Sequence, residues 1–114
     1  MIILQKEDQF SVFHNSHPLL IVQFGAQTCA PCGAIQDKIE YWRSRHAGTE
    51  FLYVPTDHFM NLCGQMGVHS VPTVWVYVQG KITLQESGIF SVDDLLSKVG
   101  RYHEMLQRAR KAGN

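Results

Sequence analysis

The chain has 114 residues, which is the size of one domain and excludes a two-domain enzyme. Its 45% hydrophobic content and formal net charge of zero are typical of a protein that folds alone, and they exclude a disordered, self-repelling chain. Because ten basic residues balance ten acidic ones, nothing in the overall charge attracts nucleic acid or an anionic membrane.

The cysteine content and the amino terminus predict a cytoplasmic protein. Three cysteines are too few, and odd in number, for the disulfide framework of a small secreted protein. The sequence turns polar at Gln5, so the apolar run of a signal peptide is missing. No stretch reaches the roughly 18 apolar residues that a membrane span needs. We therefore expect no contact with a membrane.

The first half of the chain alternates between strands and helices. Apolar residues 2–4 predict a short strand, and residues 6–15 have their aromatic side chains at helical spacing. Residues 19–24 form a nearly unbroken apolar run, as expected for a central strand buried on both faces. An amphipathic helix follows and ends near Gly48, with Trp42 on its apolar face and therefore in the core.

The second half predicts a mixed sheet. Residues 51–54 are a further apolar strand, and residues 59–66 are a short helix that Gly67 can end in a left-handed conformation. Two apolar segments, 74–78 and 82–84, flank Gln79, Gly80 and Lys81 and predict an antiparallel hairpin. Strand and helix alternation that ends in a hairpin is typical of the α/β class.

The last predicted element is a long helix that starts at Ser91, whose hydroxyl can cap it. We expect one domain over residues 1–106, followed by a basic tail over residues 107–114 that is either solvated or contacts an acidic partner. The predicted apolar stripe of the helix consists of Val92, Leu95, Leu96, Val99, Leu106 and Ala109.

Two cysteines three residues apart carry the clearest chemical signal. Cys29 and Cys32 lie between a predicted buried strand and an amphipathic helix, which is the context of a redox-active C-x-x-C pair. The unpaired N–H groups at a helix start stabilise a thiolate and lower the cysteine pKa. Pro31 suits a first-turn position because it costs no helical hydrogen bond there.

The residues from Ile21 to Cys32, the later Val71-Pro72-Thr73 and Gly88 resemble the thioredoxin family in type and spacing. The resemblance covers about residues 2–104. It implies the thioredoxin fold, a central mixed β-sheet flanked by helices. It also implies a protein-disulfide oxidoreductase that needs no metal or organic cofactor.

The same resemblance implies a role for each site residue. Cys29 would attack a substrate disulfide, Cys32 would resolve the mixed disulfide, and Pro72 would follow a cis peptide bond. Pro31, Pro72 and Gln23 would support the pair. The backbone of Val71 would pair with an extended substrate segment. The residues expected to touch the substrate, here called the rim, are Thr28, Ala30, Val71, Thr73, Gly88 and Ile89, with Gln27 and Pro31 beside them.

The implied partners are disulfide-containing proteins and an upstream electron donor similar to thioredoxin reductase, and the implied state is a monomer. Departures from the family affect the site. Thr28, Ala30 and Gly33 replace the usual Trp, Gly and basic residue around the cysteines. Gln23 replaces a buried Asp, and Tyr53 replaces the Lys that pairs with it. The chain therefore looks like an atypical member of the family.

Besides a purely structural role for the cysteine pair, two alternatives stay open on the sequence. Cys29, Cys32, Cys63 and either His58 or His69 could supply four zinc ligands, although Cys63 is better explained as a small buried side chain. The whole chain could also be a partner-binding module with the same fold and little redox turnover. The intact cysteine pair opposes that second alternative, whereas the changes around the pair favour it.

Overall fold

The structure is a computed structural model and describes residues 1–113. Strands and helices alternate through most of the chain, as the sequence predicts. The elements are β1 (Ile2–Ile3), α1 (Gln9–Ser16), β2 (Leu19–Gly25), α2 (Cys32–Ser44), β3 (Thr49–Pro55), α3 (Met60–Met66), β4 (Thr73–Val78), β5 (Lys81–Ser87) and α4 (Val92–Ala112).

The strands form one mixed sheet in the order β1-β3-β2-β4-β5. Strands β1, β3 and β2 run parallel to one another, β4 runs antiparallel to β2, and β5 runs antiparallel to β4. β2 lies in the middle, and all seven of its residues are buried. Its apolar run is continuous because helices cover both faces of the sheet, so a polar face would have no water to meet. The predicted α/β class and central strand are confirmed.

Two separate cores result from the alternation of side chains along β2. Leu20, Val22 and Phe24 pack on the face covered by α1 and α3. Leu19 and Ile21 point to the other face, where they meet α2 and α4. The functional groups at the end of β2 are therefore held between two packed layers.

Several predicted boundaries are corrected by the structure. Helix α2 ends at Ser44 and not near Gly48, which has a φ of 92° in the turn before β3. Trp42 is half-buried: it packs against the core on the α2 face, and its ring stacks on His46 at a centroid distance of 3.6 Å. Gly67 does end α3 in the left-handed conformation, as predicted.

The hairpin between β4 and β5 is tighter than predicted. Only Gln79 and Gly80 form the loop, and both have positive φ, 51° and 81°. Positive φ at both loop residues is the geometry that matches the twist of two paired strands. Lys81, predicted to lie in the turn, pairs with Val78 instead.

Helix α4 begins as predicted, because the Asp94 backbone N–H donates to Ser91 Oγ at 3.1 Å. Ala109, predicted on the apolar stripe, is exposed, three residues beyond Leu106, the last residue of α4 that packs against the core. The helix continues through residue 106 without a break, so residues 107–112 are helical. Within residues 1–113, no helix is long and apolar enough to cross a membrane.

Candidate functional site

The two cysteines are joined as a disulfide where β2 leads into α2. The S–S distance is 2.07 Å and the Cα atoms are 5.4 Å apart. Two backbone hydrogen bonds shape the turn: the Cys29 N–H donates to the Ala26 carbonyl, and the Cys32 N–H donates to the Cys29 carbonyl. Helix α2 begins at Cys32, so Pro31 lies just before the helix and not inside its first turn.

The two sulfur-bearing residues differ in exposure. Cys29 is partly exposed, whereas Cys32 is 3% exposed. Cys29 also lies next to the amino-terminal end of α2, where free N–H groups and the helix dipole favour a thiolate. Cys29 is thus the more accessible residue of the pair, and Cys32 is shielded.

Gln23 lies directly beneath the pair and is completely buried. Its side-chain Nε2 donates a hydrogen bond to the Cys32 carbonyl oxygen at 2.9 Å. This contact ties the middle of the sheet to the first residue of α2. Because an amide does not titrate in water, Gln23 cannot take up a proton from Cys32.

The Tyr53 ring packs directly against Gly25, in the space that a side chain at Gly25 would need. Tyr53 is the neighbour of Gln23 across the parallel pair β2 and β3, so both side chains lie on the α2 face. A Cβ added at Gly25 would collide with Tyr53 Oη. The tyrosine ring therefore covers Gly25, and burial, helped by the charge of Asp57, raises the pKa of its phenol. The sequence identifies Tyr53 only as the residue that replaces the usual Lys of the family, and its contact with Gly25 is seen only in the structure.

Substituting Gly25 with Ala is expected to destabilise the protein by about 1–3 kcal/mol, because the added methyl group forces the Tyr53 ring to move. Urea unfolding of the two proteins measures the difference. The double variant Gly25→Ala with Tyr53→Ala is the control, since it removes the ring that collides, and the Gly25 change should cost less in that background. An equal cost in both backgrounds would show that the ring is not the obstacle.

The strand register brings Val71 and Pro72 beside the cysteine turn. Phe24 pairs with Thr73 in the antiparallel pair β2 and β4, so Pro72 and Val71 lie opposite the residues that lead into Cys29. The Val71–Pro72 peptide bond is cis, as the resemblance implied. The Gly88 N–H donates to the Pro72 carbonyl at 3.0 Å, and this bond ties the segment after β5 to the cis-proline turn.

The predicted rim residues are not all at the surface. Thr28, Ala30, Gly88 and Ile89 are exposed, and Val71 is partly exposed. Thr73 is 5% exposed, and its hydroxyl donates to the Ser70 carbonyl at 2.7 Å. Contact of Thr73 with a substrate stays a prediction, and in the structure its hydroxyl closes the turn that holds Val71 and Pro72.

A surface hollow of about 440 Å³ adjoins the site through Val71. Cys63 lies in its wall but is 4% exposed, and burial, with a smaller effect of Glu7, raises the pKa of this free thiol. Within residues 1–113, no three His, Cys, Asp or Glu side chains gather closely enough to hold a metal ion. The four-ligand zinc arrangement weighed on the sequence is thus not assembled.

Comparison with known proteins gives matches along most of the chain. The family model described as Thioredoxin matches residues 1–101. Thioredoxin-1 of Schizosaccharomyces pombe is 32% identical over 63 residues, which are 55% of this chain and 61% of that protein. Thioredoxin H8 of Arabidopsis thaliana is 22% identical over 98 residues, 86% of this chain and 66% of that protein. The matches thus span just under two thirds of these relatives.

Solved structures share the fold. Thioredoxin of Fasciola hepatica superimposes with a TM-score of 0.79 at 26% identity, covering 90% of this chain and 99% of that one. The oxidised thioredoxin of Plasmodium falciparum gives a TM-score of 0.79 at 23% identity, covering 90% and 98%. The sheet and its helices are thus those of these proteins over nine tenths of the chain.

Proposed function

Because the chain belongs to the thioredoxin family, we propose that it reduces protein disulfides by dithiol–disulfide exchange through Cys29 and Cys32. The observation that carries the proposal is the asymmetry of the pair. A partly exposed Cys29 is bonded to a buried Cys32 at the start of α2, so one sulfur can attack outside the protein and the other can attack only its neighbour.

The reaction proceeds in two exchanges. The Cys29 thiolate attacks one sulfur of a substrate disulfide, a mixed disulfide forms, and the other substrate sulfur leaves as a thiolate. Cys32 then loses its proton and attacks Cys29 Sγ, which releases the second substrate thiolate. Two electrons pass from the protein dithiol to the substrate, the protein is left as the disulfide, and the thiolates take up protons from water.

The substrate in this proposal is an extended segment of a disulfide-containing protein. The backbone of Val71 pairs with it as an added strand does. The exposed part of the rim gives it apolar contact, above all Ile89, which projects fully into solvent after the turn at Gly88. Small residues at Thr28 and Ala30 leave the approach to Cys29 open.

A full cycle needs a source of electrons, and we assign that role to an upstream donor of the thioredoxin-reductase type. The proposal includes a cytoplasmic location and a monomer that does not engage nucleic acid or membranes. It is supported by the balanced charge and by a free buried Cys63, which suits a reducing compartment. The proposed chemistry uses no metal or organic cofactor.

Insulin reduction tests the proposed function. Dithiothreitol with catalytic amounts of the protein should precipitate the insulin B chain much faster than dithiothreitol alone. The control is the same protein reduced and then alkylated at its accessible thiol, which should give only the background rate. If the untreated protein also gives the background rate, the proposal fails, and a partner-binding module becomes the better explanation.

The binding-module alternative has one observation in its favour. Gln23 lies at the pair with no titratable group of its own, so one route for proton transfer is missing. A module of this kind would bind an extended partner segment equally well with its cysteines oxidised or replaced by serine. Partner affinity that falls when the pair is replaced would contradict it.

We also propose that residues 1–106 suffice for folding and activity and that residues 107–114 are an accessory basic segment. Removing 107–114 is expected to leave insulin reduction unchanged and to cost at most about 1 kcal/mol, because Arg108, Arg110 and Lys111 are exposed. The contact of Gln107 Nε2 with the Ala47 carbonyl is long, at 3.4 Å.

Urea unfolding and the insulin assay check this prediction. The full-length variant Gln107→Ala separates the loss of that one contact from the loss of the segment. A truncated chain that fails to fold would instead place the end of α4 in the domain.

A further inference from the structure

Half of the basic residues of the chain lie on the last helix. Residues 95–113 hold five of the ten Lys and Arg residues but only one of the ten Asp and Glu residues, Glu104. Since the whole chain is neutral, its other parts carry a net negative charge. All five cations of this segment are exposed: Lys98, Arg101, Arg108, Arg110 and Lys111. Charge is thus separated within the molecule, and its positive part is the later portion of α4.

The packing of α4 fixes which way these side chains point. On the inner side, Leu106 packs against the core, and His103 Nε2 donates to the Ala47 carbonyl at 2.9 Å. The outer side carries four exposed residues that are spaced by three or four positions and therefore share one face of the helix. They are here called the basic stripe: Lys98, Arg101, Met105 and Arg108. The stripe faces away from the sheet and is open to another molecule.

The helix itself has no need of the first two cations of the stripe. A cation stabilises a helix only near its carboxyl end, because the effect of the dipole falls off within the last turn. Arg110 and Lys111 lie in that turn, whereas Lys98 and Arg101 lie about two turns or more before it. Within residues 1–113, neither Lys98 nor Arg101 forms an ion pair. Two cations in the middle of α4 are thus available to an outside carboxylate.

An apolar side chain lies between the cations of the stripe. Met105 is 60% exposed, with Arg101 and Arg108 on either side of it along the stripe. Glu104 already binds Arg108 at 2.6 Å, so Arg101 is the unpaired cation next to Met105. Exposure to water gives no stability to a Met side chain, whereas Met and Arg are both enriched in protein–protein interfaces. The combination fits a protein surface that has carboxylates around an apolar residue.

We propose that the basic stripe docks an acidic segment of a partner protein, with carboxylates against Lys98 and Arg101 and an apolar side chain on Met105. The docked segment leaves the redox site open. Cys29 follows the end of β2, whereas the last turns of α4 contact the turn before β3, at the opposite end of the sheet. The seven residues of β2 separate these ends by about 20 Å. A partner held on α4 therefore does not cover Cys29.

Peptide binding tests the proposal. The probe is a fluorescein-labelled peptide with the sequence Glu-Glu-Leu-Glu-Glu-Leu-Glu-Glu, and its fluorescence anisotropy is measured with the full-length oxidised protein at low salt. Arg101→Glu is expected to weaken binding about fivefold or more, because it replaces an attraction by a repulsion. Met105→Ala is expected to weaken binding about threefold, since apolar contact is lost. High salt should weaken wild-type binding, because it screens exposed charges.

Lys6→Glu is the matched control, since it makes the same change of net charge at an exposed residue outside α4. Circular dichroism checks that each variant is folded. Any of four results would overturn the proposal: no binding by the wild-type protein, equal affinity of Arg101→Glu and Lys6→Glu, tighter binding of a single-stranded oligonucleotide of equal length, or self-association in sedimentation that Arg101→Glu abolishes. The last two would assign the stripe to nucleic acid or to a second copy of the chain. The peptide has no cysteine, so the result is independent of insulin reduction.

Discussion

Replacing Cys29 with Ser is expected to lower insulin reduction by about three orders of magnitude or more, to the rate of dithiothreitol alone, because it removes the attacking sulfur. Replacing Cys32 with Ser is expected to have a different effect. Cys29 is partly exposed and can still attack, but nothing resolves the product, so the variant should accumulate as a mixed disulfide with its substrate.

Mass spectrometry of the two variants after one exposure to a disulfide peptide distinguishes these outcomes. Brief alkylation of the reduced wild type should label Cys29 before Cys32, which is 3% exposed. Cys63→Ser is the control, since that thiol is buried outside the pair and its loss should not change the rate. Faster labelling of Cys32 or Cys63 than of Cys29, or a stable adduct on Cys29→Ser, would reverse the assigned order of attack.

Substituting Gln23 with Asp is expected to make stability depend strongly on pH. The position is fully buried, so the pKa of the new carboxyl would be raised well above the value of about 3.9 in the unfolded chain. The protonated group is tolerated and the ionised group is not. The free energy of unfolding of Gln23→Asp should therefore be highest below about pH 4 and fall as the pH rises toward the pKa in the folded protein. For a pKa raised by two units, the fall is about 2.7 kcal/mol.

Urea unfolding between about pH 3.5 and 7 measures this loss, and Gln23→Asn is the control because it has the same size and no charge to gain. We also expect Gln23→Asp to speed resolution of the mixed disulfide near neutral pH, since a carboxylate can accept the Cys32 proton. Single-turnover peptide reduction against pH would show an added titration step. Coinciding profiles for wild type and Gln23→Asp would mean that another group already removes the proton.

Local and periodic features of this protein could be predicted from the sequence. The β2 strand was predictable because an apolar run of that length has to be buried on both faces, and Ser91 and Gly67 because capping depends on a few neighbouring residues. The cysteine pair was predictable for the same reason. Spacing of three residues and a helix start are properties of one short segment.

Contacts between distant segments were decided by the tertiary structure alone. The cover of Gly25 by Tyr53 depends on the register of β2 and β3, and the hydrogen bond from Gln23 to the Cys32 carbonyl depends on how the start of α2 packs over β2. Thr73 could be placed next to Pro72 from the sequence, but its burial follows from pairing with Phe24. Sequence patterns report which faces of an element are apolar. Sequence patterns do not report which side chain of another element packs against an apolar face, because those contacts are set only when the whole core packs.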